Sequence, residues 1–340
     1  MPRRDVVVVG GGVAGLSLAY ELGKRGASVA LADRFTAPSG ASAVPAALLN
    51  PHRGRTARAA PGDRAGLAAF WRLAAELEDA GLDPGARRTG VVRVAATPRQ
   101  AALWRDLAAA EDGLRWLAPG EAPPAAHAPH GALLVAGGGW VDPAALLAAL
   151  AAAAERLGAT LLRGAEVTGV SPDDAGATVA TSVGPLRARH VVLCVGAGDP
   201  PPGCRLPRLA RDGGVAAVLD LRPEAAARLG SLPPLAGPVN AVFDRRRVVV
   251  TGGSLAPDAV ADGDLRAAAA GLRDALAWSV PGVADAELTG AWLGVRVRRP
   301  SGRPVARRLS PLVTYYGALA GRGFLCAADV SARLAERLTR

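Results

Sequence analysis

Residues 6–33 read VVVVGGGVAGLSLAYELGKRGASVALAD and are the most informative part of the sequence about its fold. Its β-branched run at 6–9 is typical of a buried parallel strand. A glycine turn of spacing GxGxxG follows at 10–15, and an apolar-periodic helix begins there. A second strand at 28–32 ends at the acidic Asp33. This order of strand, glycine turn, helix, strand and acid predicts a βαβ unit that holds a dinucleotide.

Each part of this unit has a physical task. Gly10 allows a tight turn, Gly12 lets the backbone approach a pyrophosphate, and Gly15 lets the helix pack close to the strand. The N-terminus of the helix offers free N–H groups and the positive end of its dipole to phosphates. Asp33 stands about 20 residues beyond the turn, where a carboxylate that binds ribose hydroxyls is expected.

The length and composition favour a large protein core without a metal site. A chain of 340 residues accommodates one large domain or two interleaved ones. Charges and prolines interrupt every apolar run before it reaches transmembrane length, and no cleavable signal peptide precedes the first strand. We therefore expect a cytoplasmic protein. Cys194, Cys204 and Cys326 are few and unclustered, which indicates neither a disulfide framework nor a metal site.

The net charge of +10 raises the question of nucleic-acid binding. Lys24 is the sole lysine, and the abundance of arginine and alanine is typical of a bias toward GC-rich codons. Arginines cluster at 245–247, 296–299 and 303–308 but are otherwise spread along the chain. We favour a solvated basic face over a nucleic-acid site.

Apolar periodicity beyond the first unit predicts further helices and strands. Asp142 and Pro143 are typical of an N-cap and a first helical residue, and the helix they start ends near Gly158. Further helices are predicted at 64–80, 98–110 and 264–279 and at the C-terminus; strands at 90–95, 160–162, 166–170, 189–195, 215–221, 239–243 and 247–251.

Five blocks of sequence, in this order, resemble the D-amino-acid oxidase and glycine oxidase group of FAD-dependent flavoproteins. They are GGGVAGLSLAYEL with Asp33-Arg34, GASAVPAALLNP, WVDPAALLAALAAAAERLGATLLRGAEVTGV, VVLCVGAG, and WLGVRV followed by ALAGRGFLCAADVSARLAERL. The resemblance implies an α/β fold in which a mostly antiparallel β substrate domain is inserted into a Rossmann-like FAD-binding domain. It assigns 1–85, 139–200 and 286–340 to FAD binding, and 86–138 and 201–285 to the substrate domain.

The same resemblance implies which residues contact FAD. The last helix would point its positive N-terminus at the flavin and stabilise the reduced, anionic form. The implied cofactor residues are Gly10, Gly12, Val13, Ala14, Gly15, Asp33, Arg34, Ala41, Ser42, Val167, Gly196, Gly198, Gly321, Arg322, Gly323 and Phe324.

The resemblance also implies candidate catalytic residues, but fewer of them than FAD-binding residues. Arg296 matches an arginine that holds the substrate carboxylate in the glycine-oxidase branch, and a guanidinium suits that task by bidentate bonding. His52 follows the loop implied to contact the flavin, and Tyr316 precedes the last glycine turn. The loop at 297–308 departs from the family, because it carries arginines and no acidic residue before its proline.

Three functions remain open at this stage. The first is oxidation of a C–N bond in an amine or amino acid by hydride transfer to flavin, with oxygen as acceptor because no second GxGxxG is present for a nicotinamide nucleotide. The second is oxidation of a carboxymethylaminomethyl group on a tRNA wobble uridine, since GALAGRGF also resembles the flavin domain of the bifunctional enzyme with that task. The third is an inactive flavoprotein-like scaffold that uses its basic loop to bind a partner.

Overall fold

The structure is a computed structural model that describes residues 3–123, 126–173, 175–255 and 262–340. Its helices are α1 (Val13–Gly23), α2 (Asp63–Asp79), α3 (Pro98–Ala110), α4 (Pro143–Arg156), α5 (Pro223–Leu229), α6 (Asp262–Ser279) and α7 (Gly323–Thr339). Its strands are β1 (Arg4–Val9), β2 (Val29–Asp33), β3 (Ala47–Leu49), β4 (Ala86–Arg87), β5 (Val91–Val94), β6 (Leu114–Leu117), β7 (Ala132–Val135), β8 (Gly139–Val141), β9 (Thr160–Arg163), β10 (Val167–Asp173), β11 (Gly176–Thr181), β12 (Leu186–Leu193), β13 (Ala210–Asp220), β14 (Leu235–Ala236), β15 (Asn240–Asp244), β16 (Arg247–Leu255), β17 (Glu287–Arg298), β18 (Val305–Arg308) and β19 (Val313–Gly317).

The first sheet is built around parallel strands. Its order is β10-β11-β12-β1-β2-β9. On the side of β12 away from β1, β11 pairs with the first half of β12 and β19 pairs with the second half. The pairs β1–β12, β1–β2, β2–β9 and β12–β19 are all parallel, so their carboxyl ends meet at one edge of the sheet. Residues 6–9 of β1 are buried, as the unbroken valine run predicts. Val6 and Val8 face the helices, and Val7 and Val9 face a second core formed by strands and loops. The Rossmann-like part of the predicted fold is confirmed.

The second sheet is mostly antiparallel, as predicted for the inserted domain. Its order is β17-β13-β16-β15-β14-β5-β7-β6, and among its pairs β14–β5 is parallel. One boundary differs from the prediction, which placed residues 286–298 with the FAD-binding segments. Strand β17 instead pairs with β13 along its whole length, from Ala210 opposite Arg298 to Asp220 opposite Glu287.

A short third sheet has the order β3-β8-β4. Along the chain, its strands occur where the chain passes from one of the larger sheets to the other. Its strand β8 leads directly into α4, whose first turn is capped as predicted. The Asp142 carboxylate accepts a hydrogen bond from Ala144 N at 2.9 Å, and Pro143 is the first helical residue. Helices α1, α2, α4 and α7 share the largest apolar core with β1 and β2.

His190 joins β12 to β19 and makes the stability of this sheet depend on pH. Its Nε2 lies 2.9 Å from Thr314 Oγ1. Burial, and to a lesser extent the charge of Arg308, lowers the pKa of His190 from 6.5 to about 4. Because the folded pKa lies below the unfolded one, the unfolded chain binds more protons between these values, and stability is lost as the pH falls through this window.

The variant His190→Gln tests this linkage. Glutamine retains a polar group for Thr314 and does not titrate, so the loss of stability between about pH 7 and about pH 4.5 is expected to be smaller than in the wild type. Urea unfolding at both pH values measures it, with His127→Gln as a control at an exposed histidine. An unchanged pH dependence in His190→Gln would contradict the assignment.

Candidate active site

A cavity of about 760 Å³ lies at the carboxyl edge of the first sheet and extends to the second. The first sheet and its turns contribute residues 9–14, 32–35, 165–167 and 194–199; the second contributes 214–215, 236–237 and 292–297. Intervening loops add 39–42, 46–48 and 52–54, and the segment that starts α7 adds 316–325. The cavity therefore joins the glycine turn to the predicted substrate side.

The glycine turn is packed so closely that side chains cannot replace its hydrogens. Gly10 has φ +107°, and a Cβ there would overlap the carbonyl oxygen of Cys194. A Cβ on Gly15 would overlap the carbonyl oxygen of Gly10, which brings α1 against the end of β1. Gly10 and Gly15 thus allow the turn to pack tightly against the segment after β12 and against α1, as the GxGxxG spacing predicts.

The start of α1 faces the cavity with its N–H groups. Val13 N donates to Ser42 Oγ at 3.1 Å, which holds the 39–42 loop over the turn. Gly11 N donates to an oxygen of Asp33 at 2.5 Å, and Phe35 N donates to the other oxygen at 2.8 Å. The Asp33 carboxylate is therefore fixed at the end of β2, beside the turn.

The start of α7 lies next to the start of α1. A Cβ on Gly323 would stand 3.4 Å from Val13 Cγ1, so the two helix N-termini converge on one region of the cavity. Both present the positive end of a helix dipole to a ligand there. This convergence suits a pyrophosphate beside α1 and a negatively charged ring beside α7.

The predicted cofactor residues come together as a group. All of them line the cavity except Gly15, which packs beneath the turn. Asp33, Arg34 and Val167 lie at one end, and Gly321 to Phe324 lie toward the second sheet. Arg296, His52 and Tyr316, predicted as catalytic, also border the cavity.

Arg296 extends from β17 at the junction of the second sheet and the turn before α7. Its Nη2 donates to the carbonyl of Gly213 at 3.3 Å. A Cβ on Gly214 would lie 2.9 Å from Arg296 Nε, and one on Gly321 would lie 3.7 Å from its Nη1. The guanidinium is thus held beside the start of the last helix, at the cavity wall.

The contacts of His52 favour a structural role. The side chain is buried, and its Nδ1 lies 2.8 Å from the carbonyl oxygen of Ala57. Burial lowers its pKa, and the Ala57 hydrogen bond opposes this effect in part. Its backbone N–H is bound by Asn50 Oδ1 at 2.9 Å. His52 closes the 50–57 loop, and its catalytic role finds no support in this geometry.

The hydroxyl of Tyr316 is committed to the protein core. It donates to the carbonyl of Ala327 at 3.1 Å and lies 3.1 Å from Ser331 Oγ, both on α7. Burial raises the pKa of Tyr316 above its usual range. We therefore correct the sequence-based expectation: Tyr316 fixes α7 against β19, and its hydroxyl is not available to a substrate.

A buried ion cluster behind the cavity wall escaped the sequence analysis. Asp63, the fully buried first residue of α2, accepts from Arg322 Nη1 at 2.6 Å and from Arg53 Nη2 at 3.1 Å. Arg322 is buried and Arg53 is half exposed at its side chain, and both line the cavity. One carboxylate thus holds two arginines at the wall.

Arg93 is a second feature that the sequence analysis missed. It lies in β5, is 5% exposed, and borders the cavity. Its terminal nitrogens donate to the carbonyls of His52 at 2.8 Å and Gly54 at 2.6 Å, and the guanidinium stacks over the Trp104 ring at 4.6 Å. Burial lowers the pKa of Arg93 to about 10, and the charge of Arg53 adds to the effect.

These features fit an FAD molecule. The glycine turn gives close backbone approach for a pyrophosphate, the fixed carboxylate of Asp33 suits a ribose, and the cavity continues past α7 toward the second sheet. Within the described residues, no cluster of histidine, cysteine and acidic side chains could hold a metal ion. No helix in the described part of the chain is long and apolar enough to span a membrane.

Comparisons with known proteins agree with this geometry. A family model described as FAD dependent oxidoreductase matches residues 5–337. A glycine oxidase of Geobacillus kaustophilus is 31% identical over 89% of this chain and 83% of its own length. A crystal structure of glycine oxidase from the same organism superposes with a TM-score of 0.82 at 26% identity, covering 99% of this chain and 95% of that one.

A second kind of relative is longer. The bifunctional protein MnmC of Maricaulis maris, named for tRNA 5-methylaminomethyl-2-thiouridine biosynthesis, is 33% identical over 98% of this chain and 52% of its own length. The chain thus spans about half the length of that relative. Because the family model covers nearly every residue and the glycine turn, both helix starts and Arg296 surround one cavity, the chain belongs to the family of FAD-dependent oxidoreductases typified by D-amino-acid oxidase and glycine oxidase.

Proposed function

We propose that this protein oxidises the C–N bond of an amine that also carries a carboxylate, with oxygen as the final electron acceptor. The observation that carries the proposal is the position of Arg296. It reaches the wall of the FAD-binding cavity from the second sheet, beside the start of α7. A guanidinium there binds a carboxylate and so orients the neighbouring C–N bond.

The protein itself contributes binding, orientation and electrostatics. FAD, when bound, supplies the acceptor for the hydride that leaves the carbon next to nitrogen. The N-terminus of α7 and Arg322 place positive charge at the cavity wall, which stabilises negative charge that develops on reduction. Hydride transfer from a neutral amine does not require a protein base to remove a proton from carbon. The reaction is therefore compatible with the hydrogen bonds that already occupy the side chains of His52 and Tyr316.

The proposal is tested by peroxide release from a panel of glycine, sarcosine and D-amino acids. The holoprotein is expected to release peroxide with at least one of these amines and to lose the activity when oxygen is removed. Full FAD occupancy without turnover on any amine would contradict the proposal and favour an inactive flavoprotein-like scaffold.

Arg296→Gln is expected to raise the KM for carboxylated amines by roughly 10- to 100-fold, because a charge-assisted hydrogen-bond pair is lost. The kcat is expected to change less, since the contact exists before and during the reaction. Steady-state kinetics measure both values. The control is Arg298→Gln on the same strand, where the guanidinium pairs with Asp212 and does not line the cavity. Equal effects of the two variants would contradict the role of Arg296.

A second candidate function is oxidation of a carboxymethylaminomethyl group on tRNA. The similarity to MnmC over nearly the whole chain favours it, and the segment 297–308, which runs from the end of β17 through β18, exposes arginines that suit RNA phosphates. Titration of labelled tRNA at rising salt is the test. Steeply salt-dependent tRNA binding would support the candidate, and weak, salt-insensitive binding would remove it.

A further inference from the structure

Four arginines that line the cavity are linked to one another through neighbouring residues. Arg296 lies beside Gly321, the next residue Arg322 pairs with Asp63, Asp63 pairs with Arg53, and the neighbouring Gly54 carbonyl binds Arg93. This chain of contacts places all four guanidiniums in the part of the cavity between α7 and the second sheet. We call them the cationic wall.

Carboxylates of the described residues balance only part of this charge, since Asp212, which interacts with Arg296, is paired with Arg298. The acidic residues that line the cavity, Asp33, Glu166 and Asp199, belong to the segments at the glycine turn and the adenosine end. Asp63 lies behind the cationic wall and is shared by Arg53 and Arg322. This half of the cavity therefore carries an excess of positive charge.

Among the arginines of the cationic wall, Arg93 is buried without a carboxylate partner in the described residues. In the described part of the chain, its terminal nitrogens donate to two backbone carbonyls and to no carboxylate. Its Nε is buried and lacks an acceptor there. A buried charge is costly unless it is paired, and carbonyl dipoles with one aromatic ring supply only part of the compensation.

We propose that the substrate carries a second anionic group besides the carboxylate that Arg296 binds, and that Arg93, with Arg53 beside it, receives that group. The substrate class is then an amine dianion, such as an amine flanked by two carboxymethyl groups. This proposal rests on the proposed function for the amine and for Arg296. The proposed binding of an anion by Arg93 is inferred from the cationic wall and does not depend on the reaction.

The first test compares two ligands that cannot be oxidised at a C–N bond. Diglycolate has two carboxylates, and its monoamide has nearly the same shape with one negative charge fewer. Both are titrated into the FAD-loaded protein, and the change in the visible flavin spectrum reports the Kd. Diglycolate is expected to bind about 10- to 100-fold more tightly than the monoamide, and the difference should shrink at high salt. Equal affinities would overturn the proposal.

The second test assigns the preference to Arg93. Arg93→Gln is expected to abolish the difference between diglycolate and its monoamide, and Arg93→Lys to retain most of it, because lysine keeps the charge. Arg105→Gln is the matched control, since Arg105 also stacks on a tryptophan, at 5.5 Å from the Trp116 ring, but does not line the cavity. If Arg93→Gln loses FAD, Arg53→Gln takes its place and is expected to reduce the difference, because Arg53 is half exposed beside Arg93. A preference for diglycolate that persists in an FAD-loaded Arg93→Gln variant would overturn the assignment.

The two tests also separate this inference from the proposed function. Sarcosine and iminodiacetate form a matched substrate pair, because the second replaces a hydrogen on the methyl carbon with a carboxylate. Tight diglycolate binding without oxidation of either amine would contradict the proposed function and leave the anion site in place. Equal kcat/KM values for the two amines, with equal ligand affinities, would contradict the anion site and leave amine oxidation in place.

Discussion

Asp63→Asn is expected to lower the free energy of unfolding by about 3–5 kcal/mol, because it leaves the buried Arg322 without its counter-charge. The asparagine retains the size of the side chain and a carbonyl oxygen, so the loss of charge is isolated from the loss of packing. Chemical unfolding of the wild type and the variant measures the difference.

The same substitution has a second consequence at the cavity. Removing the negative charge of Asp63 leaves Arg322 and Arg53 uncompensated at the wall, which stabilises the anionic reduced flavin relative to the oxidised form. The reduction potential of the variant is expected to rise. Asp79→Asn, at the exposed end of the same helix, is the control and should change neither quantity. A variant with wild-type stability and potential would refute the role of the ion cluster.

Gly15→Ala is expected to abolish retention of FAD, because the added Cβ would overlap the carbonyl oxygen of Gly10. Relief of that overlap requires α1 to move away from β1, which takes the N–H groups at its start out of register with the cavity. Overpacking of this kind costs about 1–3 kcal/mol of stability, and the misplaced helix start removes the phosphate contacts as well.

The flavin content of the purified protein, read from its visible absorption, measures this effect. Gly271→Ala provides the control, because that glycine lies in α6 with no atom within 4 Å of the added Cβ. It is expected to keep its FAD and to gain up to about 1 kcal/mol from better helix propensity. FAD retention by Gly15→Ala at the wild-type level would contradict the close packing of the turn.

Local patterns predicted the elements around the glycine turn because their causes are local. The valine run of β1 reports a strand buried on both faces, and the bounds of α3 at Pro98 and Ala110 follow from proline at its start and from apolar spacing. Sheet membership depends on distant pairing, so the sequence did not place β17 beside β13. The segment at 114–117 reads LRWL, which is neither a continuous apolar run nor a strict alternation, so its sequence pattern did not predict β6.

The charged residues of the candidate site were the hardest to predict. Asp63 has the sequence context of an ordinary acidic residue at a helix start, and its burial arises from α7, about 260 residues later. Arg93 offered one signal, since it interrupts the apolar run VVRV of a strand whose four residues are all buried. Tertiary packing decides whether a charged side chain is buried. The sequence VVRV therefore indicates a buried arginine only when the structure shows that both faces of β5 are covered.

Reduction of the bound flavin in the absence of oxygen tests whether this protein oxidises carboxylated amines. The purified holoprotein is mixed anaerobically with sarcosine, glycine and iminodiacetate in turn, and the visible flavin absorption is followed. At least one carboxylated amine is expected to bleach the flavin, and air is expected to restore the absorption with release of peroxide. Arg296→Gln is expected to require a higher amine concentration for the same bleaching. A fully loaded flavin that none of these amines bleaches at any concentration would contradict the proposed oxidation.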